Sequence, residues 1–212
     1  MPPAKPTHAT TVATVPRRRL GAAARRAQIL QAAISCFSAK GFDGTVMDDI
    51  AAAASISKPV LYDHFASKDL LYLAMLESLR DRLLAAGSAG FVAAESVEAG
   101  FARAIGVFVA FTEASPNAAR LLFQAPAGEG ARIDAVRRIQ AEASASLAGI
   151  LAVRSPPATS SQHAIAAEFI KAGLHAVALW RVDHPEIAAK ELAAILTILG
   201  WSGLSELLLK SN

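Results

Sequence analysis

The residues best suited to chemistry lie in one short segment, 57–68, where basic, aromatic and apolar side chains are interleaved. If residues 57–65 form a helix that advances about 100° per residue, Leu61 and Phe65 fall on one side of it. The opposite side then carries Pro59, Val60, Tyr62 and Asp63. An apolar and aromatic surface of this kind is poorly suited to water, but it suits contact with the thymine methyl groups and sugars of DNA.

Side chains that can bind phosphate flank this surface. Lys58, Tyr62, His64 and Lys68 lie at its edges. Helices that we expect to begin at Thr45 and Ser67 would present backbone N–H groups to further phosphates. The segment therefore predicts a DNA-binding helix.

The remaining chemistry-bearing residues show no catalytic or metal-binding pattern. Ser55 and Lys58 match the Ser-x-x-Lys motif of penicillin-recognising enzymes, but no Ser-Asp-Asn or Lys-Thr-Gly motif follows. The five histidines lack metal-binding spacing, and the single cysteine, Cys36, excludes an intramolecular disulfide or a cysteine-based zinc site. We therefore expect no enzyme activity, no metal and no cofactor.

The composition favours an all-α protein. Of 212 residues, 53% are hydrophobic and only 6% are aromatic, and no alternating Val/Ile/Thr-rich runs indicate strands. Residues 1–70 carry nine Lys/Arg and five Asp/Glu, so the surplus positive charge of the chain lies in its first third. This charge fits a polyanionic partner or, equally, a solvated basic tail.

The apolar content does not predict a membrane protein. The longest stretch without Asp, Glu, Lys or Arg is residues 192–205, which is 14 residues, whereas a spanning helix needs about 20. The N-terminus is rich in proline and threonine and lacks an apolar leader. We therefore expect a cytoplasmic protein that does not associate with membranes.

Glycine, proline and helix-capping residues along the chain predict about nine helices in two domains. Residues 1–20 are expected to be a disordered basic tail that ends in Arg17–Arg19, which either contacts DNA or stays solvated. A helix-turn-helix DNA-binding domain is expected at 21–67, and a helical effector-binding and dimerisation domain at 68–212. Gly41 should end the first helix, and the glycines of 87–90 should form a loop. The predicted helices are 22–40, 45–54, 57–65, 67–86, 96–114, 117–124, 131–152, 161–182 and 186–209.

Residues 25–71 resemble the N-terminal domain of TetR-type (tetracycline-repressor-like) regulators, with the internal spacings intact. The resemblance implies an all-α homodimer in which the helix after the motif joins the DNA-binding domain to a ligand-binding body. It gives Thr45 a role as a helix N-cap that contacts the DNA backbone, and it implies that His64 faces the backbone and Lys68 a phosphate. It implies a recognition helix that carries Ser57, Lys58, Pro59, Val60 and Tyr62. Ser55 stands in the turn where the family often has glycine, which tolerates a left-handed conformation more easily.

The second half of the chain predicts a cavity and a dimer interface. Candidate ligand-binding residues are Phe101, Phe108, Phe111, Phe123 and His175, although any one of them could simply be core. The last two helices, 161–182 and 186–209, are apolar on more than one side and should pair with a second copy. In the family, these helices form a four-helix bundle with their symmetry mates.

These inferences predict a ligand-responsive transcriptional regulator. The expected partner is double-stranded DNA, and the expected mechanism is repression of a pseudo-palindromic operator that a small, hydrophobic or aromatic effector relieves. Two alternatives stay open: a constitutive DNA-binding regulator without a ligand, and a carrier or enzyme that uses the C-terminal cavity.

Overall fold

The computed structural model describes residues 21–124, 128–156 and 158–209, and this part of the chain contains nine α-helices and no strand. The all-α prediction is confirmed, while the predicted tail 1–20 with Arg17–Arg19 lies outside the described residues. The helices are α1 (Ala22–Gly44), α2 (Met47–Ala53), α3 (Lys58–His64), α4 (Lys68–Val92), α5 (Val97–Ala114), α6 (Pro116–Phe123), α7 (Ala131–Arg154), α8 (Ser160–Asp183) and α9 (Ala189–Leu209).

Helices α1 to α3 and the first turns of α4 form a unit that we call the head. Its core consists of fully buried apolar side chains, among them Ile29, Phe37, Ile50, Leu61 and Leu71. Gly41 interrupts α1 with a φ of 69°, as the sequence predicts, because glycine enters this region without a Cβ clash. Ser67 caps α4, since its hydroxyl accepts a hydrogen bond from the N–H of Leu70 at 3.2 Å.

The predicted loop at 87–90 is wrong, because α4 continues through it to Val92. Phe91 is 3% exposed and packs into the core that α5, α6, α8 and α9 form in the second half of the chain. This burial outweighs the low helix propensity of the glycines. Arg154 stabilises the actual end of the helix, since its Nη1 donates hydrogen bonds to the carbonyl oxygens of Phe91, Val92 and Ala94.

The rest of α4 and helices α5 to α9 form a second unit, which we call the body. Its core is built from α5, α6, α8 and α9 side chains such as Phe101, Ile105, Phe123 and Leu208. The head core does not stop at residue 67, because Val136 and Ile139 of α7 belong to it. The boundary at 67/68 therefore stays a prediction.

Helix α9 is long and apolar enough to cross a membrane by length and composition, and it is the one such helix among the described residues. Only 17% of its most apolar stretch is buried within the chain. Most of this stretch is therefore left uncovered by the rest of the described chain.

Candidate DNA-binding surface and effector cavity

The α2–α3 pair has the geometry of a helix-turn-helix. The N–H groups of Ser55 and Ile56 donate to the carbonyls of Ala52 and Ala51 at 3.0 Å, which closes the turn. Ser55 adopts a φ of 51°, so the serine takes the left-handed conformation that glycine adopts more cheaply. The turn therefore forms with Ser55 in place.

Two buried side chains hold α3 on the head. Leu61 and Phe65 are 0% and 4% exposed, as the helical projection predicts. The Arg26 guanidinium lies 4.4 Å from the centre of the Phe65 ring and packs against it. With this side fixed, the outward face of α3 is held in one orientation.

The outward face carries most of the predicted DNA-binding residues. Tyr62 is 42% exposed, and Ser57, Lys58 and Pro59 are exposed as well, whereas Val60 and His64 are half-buried. Ser57 is the N-cap of α3 by position, but its side chain makes no capping hydrogen bond.

Lys58 forms an ion pair with a carboxylate of α2. Its Nζ lies 2.9 Å from Oδ1 of Asp48, and the hydrogen bond to this carboxylate raises the pKa of Lys58 above its ordinary value. Both side chains are exposed, so the pair contributes little to stability. A DNA phosphate could replace Asp48 as the partner of Lys58 at small cost.

The predicted capping role of Thr45 is wrong. The N-cap of α2 is Val46, and Asp49 accepts the hydrogen bond of the Val46 N–H at 3.4 Å. Thr45 is fully buried, and its hydroxyl donates to the carbonyl of Gly41 at 2.7 Å. It therefore ties the start of α2 to the end of α1 and exposes no side chain to DNA.

Lys68 is largely engaged within the head, and its predicted phosphate contact stays a prediction. Its Nζ donates to the carbonyls of Phe42 at 2.8 Å and Thr45 at 2.9 Å, and it lies 4.3 Å from the centre of the Phe42 ring. Lys68 thus holds the α1–α2 connection to α4. Because an ammonium has three N–H donors, one donor remains for an outside partner.

The same phenylalanine joins the head to the body. The Arg132 guanidinium of α7 lies 4.0 Å from the centre of the Phe42 ring, so the ring packs against Arg132 as well as Lys68. Phe37 and Tyr72 complete an aromatic cluster, with ring centres 5.1–5.9 Å apart. A movement of α7 would therefore be transmitted directly to the head through the Phe42 ring.

An apolar cavity of about 150 Å³ lies in the body between α4, α5, α6, α7 and α8. Four of the predicted ligand-binding residues line it, namely Phe101, Phe108, Phe123 and His175. Phe111 does not line it. Its ring packs edge-on against Phe123 at 6.1 Å and touches both cores, so it is a core residue.

The cavity contains few polar groups, and His175 is the most perturbed of them. Its ring lies 4.6 Å from the Phe123 ring, centre to centre. Burial, helped by the positive charge of Lys171, lowers the pKa of His175 to about 4. The imidazole is therefore neutral at pH 7 and can donate or accept a hydrogen bond inside the cavity.

Sequence reasoning missed the other polar residues of the cavity wall, Arg80, Ser88, Gln140 and Lys171. Lys171 precedes His175 by four residues, so the two share a helix face. This spacing could have identified Lys171 as a neighbour of His175 from the sequence. Arg80 has no such signal, because its place in the wall depends on how α4 packs against α7. Among the described residues, no group of three or more His, Cys, Asp or Glu side chains could hold a metal ion.

Helices α8 and α9 expose an apolar face. Its members are large hydrophobic side chains between 44% and 68% exposed, namely Ile165, Phe169, Trp180, Ile195, Ile198, Leu199 and Leu209. Their i, i+3 and i, i+4 spacing places them in stripes along the two helices. An exposed apolar surface of this kind indicates an interaction site.

Comparison with known sequences finds a family match in the head. The model of bacterial regulatory proteins of the tetR family matches residues 29–75. The HTH-type transcriptional activator FasR of Mycolicibacterium smegmatis is 37% identical over 100 residues, which cover 47% of this chain and 46% of that protein. IcaR, the negative transcriptional regulator of the biofilm operon icaADBC in Staphylococcus aureus, is 51% identical over 45 residues, covering 21% of this chain and 24% of IcaR. The chain thus spans less than half the length of these curated relatives.

Comparison with solved structures extends the likeness to the body. The crystal structure of a TetR-like transcriptional regulator from Rhodococcus sp. RHA1 is 31% identical in sequence, with a TM-score of 0.68. The match covers 88% of this chain and 99% of that one.

Proposed function

The chain belongs to the TetR family of bacterial regulatory proteins, and from this premise we propose that it is a ligand-responsive transcriptional regulator. In this proposal α3 enters the major groove of double-stranded DNA. The observation that carries it is the outward face of α3, where Lys58, Pro59 and Tyr62 are exposed on a helix that Leu61 and Phe65 anchor.

The proposed contacts divide into two kinds. Pro59, Val60 and Tyr62 would meet base edges and sugars, whereas Ser57, Lys58 and His64 would reach phosphates. Lys68 would add one N–H to a phosphate while its other donors hold the α1–α2 connection. Thr45 is no longer part of the proposed surface, because its side chain is buried.

The proposed active form is a homodimer that pairs residues 161–182 and 186–209 with their symmetry mates. The exposed apolar stripes of α8 and α9 support it, because a second copy would remove them from water. The same pairing would cover α9 without a membrane, which fits a cytoplasmic protein. Two recognition helices about 34 Å apart would then fit successive major grooves of a pseudo-palindromic operator.

The proposed regulation is release of the operator by a small, mostly apolar effector in the body cavity. Such a ligand shifts the balance only by its different affinity for the two states. The contact between Arg132 and Phe42 offers a route from the body to the head. Repression is the direction that we propose, although FasR is an activator and IcaR a negative regulator.

Binding to DNA from around the gene, at two salt concentrations, tests the proposal. We expect tight, sequence-selective binding that weakens as salt rises. Lys58→Ala should weaken binding to all sequences and reduce the salt dependence by about one unit per contact, and Tyr62→Ala should reduce selectivity. Arg82→Ala, an exposed change on α4 far from α3, is the matched control.

Three outcomes are informative. Binding that Lys58→Ala and Tyr62→Ala leave unchanged would contradict the proposed surface. If neither native DNA nor random-sequence selection yields a bound site, the regulator proposal fails, and the carrier or enzyme alternative gains. Selective binding that no apolar compound weakens would favour the constitutive regulator.

A further inference from the structure

A second cavity lies where the head meets the body. It is an open cleft of about 310 Å³ between the end of α1, the first turns of α4, α6 and the start of α7. The head lines it with Phe37, Phe42 and Tyr72, and the body contributes Arg120 and Arg132. A molecule in this cleft would therefore contact both units at once.

The cleft is distinct from the apolar effector cavity of the body. Among the described residues, Val136 alone lines both, so the two cavities are neighbours with separate walls. A volume of about 310 Å³ equals that of about ten water molecules in the liquid. The cleft thus has room for a small organic molecule and not only for a single inorganic anion.

The described lining of the cleft carries positive charge. Its polar members are Ser38, Tyr72, Asn117, Arg120, Gln124 and Arg132. Two of these side chains are guanidiniums, and no Asp or Glu stands beside them in the described lining. A cleft lined by charge of one sign concentrates the field of that charge, so this cleft attracts anions.

Arg132 is mostly buried, yet its guanidinium makes no hydrogen bond within the described part of the chain. Its side chain is 28% exposed and packs on the Phe42 ring, with 4.0 Å between the guanidinium carbon and the ring centre. Its Nε lies 3.5 Å from Oδ1 of Asp69, which is too long for a strong hydrogen bond. The planar fork of N–H donors is therefore available to a ligand in the cleft.

Arg120 and Tyr72 also have donors available. Nη2 of Arg120 donates to Oδ1 of Asp183 at 3.4 Å, and the two side chains are 55% and 73% exposed. So exposed a pair contributes little, and another anion can replace Asp183 at small cost. The Tyr72 hydroxyl has no hydrogen-bond partner among the described residues. Burial raises the pKa of Tyr72, so the hydroxyl keeps its proton at neutral pH and can donate it in a hydrogen bond.

From these observations we propose that the cleft binds a small organic dianion, a dicarboxylate. One carboxylate meets Arg132 and the Tyr72 hydroxyl, whose ring centre lies 6.0 Å from the Arg132 guanidinium carbon. The other carboxylate meets Arg120. A guanidinium matches a carboxylate because two parallel N–H donors face its two oxygens. The site is separate from the effector cavity and does not rest on the proposed function.

The test is calorimetric titration of the full chain, at fixed pH and ionic strength, with malonate, succinate, glutarate and adipate. Butyrate and inorganic phosphate are the comparison ligands. We expect one dicarboxylate length to bind best, because the two arginines lie on different helices at a fixed separation. That ligand should bind at least about tenfold more tightly than butyrate or phosphate, since neither carries two separate carboxylates.

Substitutions in the cleft sharpen the test. Arg120→Gln and Arg132→Gln should each weaken the best dicarboxylate at least about tenfold, to the affinity of butyrate, and Tyr72→Phe should weaken it about tenfold. Arg138→Gln is the matched control, because it removes the same charge from an exposed position of α7 outside the cleft. Thermal unfolding of each variant without ligand separates a lost contact from a lost fold. Arg120→Gln keeps the test valid if Arg132→Gln does not fold, since Arg120 is largely exposed.

Three results would overturn the proposal: equal affinity for all four lengths, phosphate that binds as tightly as the best dicarboxylate, and absence of binding. Equal losses in Arg120→Gln and Arg138→Gln would also overturn it, because the effect would then be one of net charge. These titrations contain no DNA, so they fail independently of the proposed function. A protein that binds an operator but no dicarboxylate remains a regulator without this site, and one that binds a dicarboxylate but no DNA has the site without the regulation.

Discussion

The head and the body use apolar side chains in opposite ways. The head packs its large apolar residues into one closed core and leaves only Val46, Tyr62 and Leu70 substantially exposed. The body contains an internal cavity and leaves seven large apolar residues of α8 and α9 uncovered. The head can therefore present one fixed surface, whereas the body leaves apolar surface uncovered both inside and outside.

The largest expected effect comes from making the uncovered face of the body unable to pair. Phe169 and Leu199 are each 68% exposed. Phe169→Glu with Leu199→Glu would place charges in the proposed interface, which should weaken the dimer by about 4 kcal/mol, roughly a thousandfold. Light scattering at micromolar concentration should show a dimer for the wild type and a monomer for the variant.

Val153→Glu is the control for this prediction, because Val153 is 64% exposed but lies on α7, away from the stripes. It should leave the dimer intact. A wild-type protein that is monomeric, or a double variant that stays dimeric, would contradict the proposed face and with it the contrast between head and body.

A smaller effect should appear in the pH dependence of stability, and it arises from the cavity of the body. The pKa of His175 is lowered to about 4 in the folded chain, chiefly by burial, against about 6.5 when unfolded. Between these values the unfolded chain binds the extra proton, so stability rises with pH from 4 to 6.5 and falls as acid is added. From pH 7 to pH 5 the wild type should lose about 1–2 kcal/mol more than His175→Gln.

Chemical denaturation of both proteins at the two pH values measures this difference, since all other titrating groups are common to them. Equal losses would mean that burial beside the cavity does not desolvate His175. The structural contrast would then rest on the exposed stripes alone.

The sequence predicts the head well where the signals are local. Gly41, the N-cap Ser67 and the buried pair Leu61 and Phe65 each act over a few residues, and all are found as expected. The sequence does not predict side-chain contacts that depend on residues far away along the chain. The hydroxyl of Thr45 bonds back to α1, and the ammonium of Lys68 turns to carbonyls more than twenty residues away.

In the body, the sequence locates the helices but does not determine which side chains of each helix are buried or line the cavity. The glycines at 87–90 indicate a loop, yet burial of Phe91 keeps α4 helical there. Phe111 has the same local pattern as Phe108, and only packing decides that Phe108 lines the cavity and Phe111 does not. The predicted roles in DNA and ligand binding stay predictions, because they depend on molecules that pair with these surfaces.

The smallest expected effect tests how rigidly the head fixes its recognition helix. Ser55 holds a φ of 51°, a conformation that costs a residue with a Cβ about 1–2 kcal/mol. Ser55→Gly removes this strain, but glycine also gives the unfolded chain about 0.5–1 kcal/mol more freedom, so we expect a net gain of about 0.5 kcal/mol in urea denaturation. Ser57→Gly is the control, because Ser57 has an ordinary φ of −78° and glycine at an N-cap costs only about a few tenths of a kcal/mol. Destabilisation by Ser55→Gly would show that the turn is under no strain, and that the head accommodates serine as easily as the family's usual glycine.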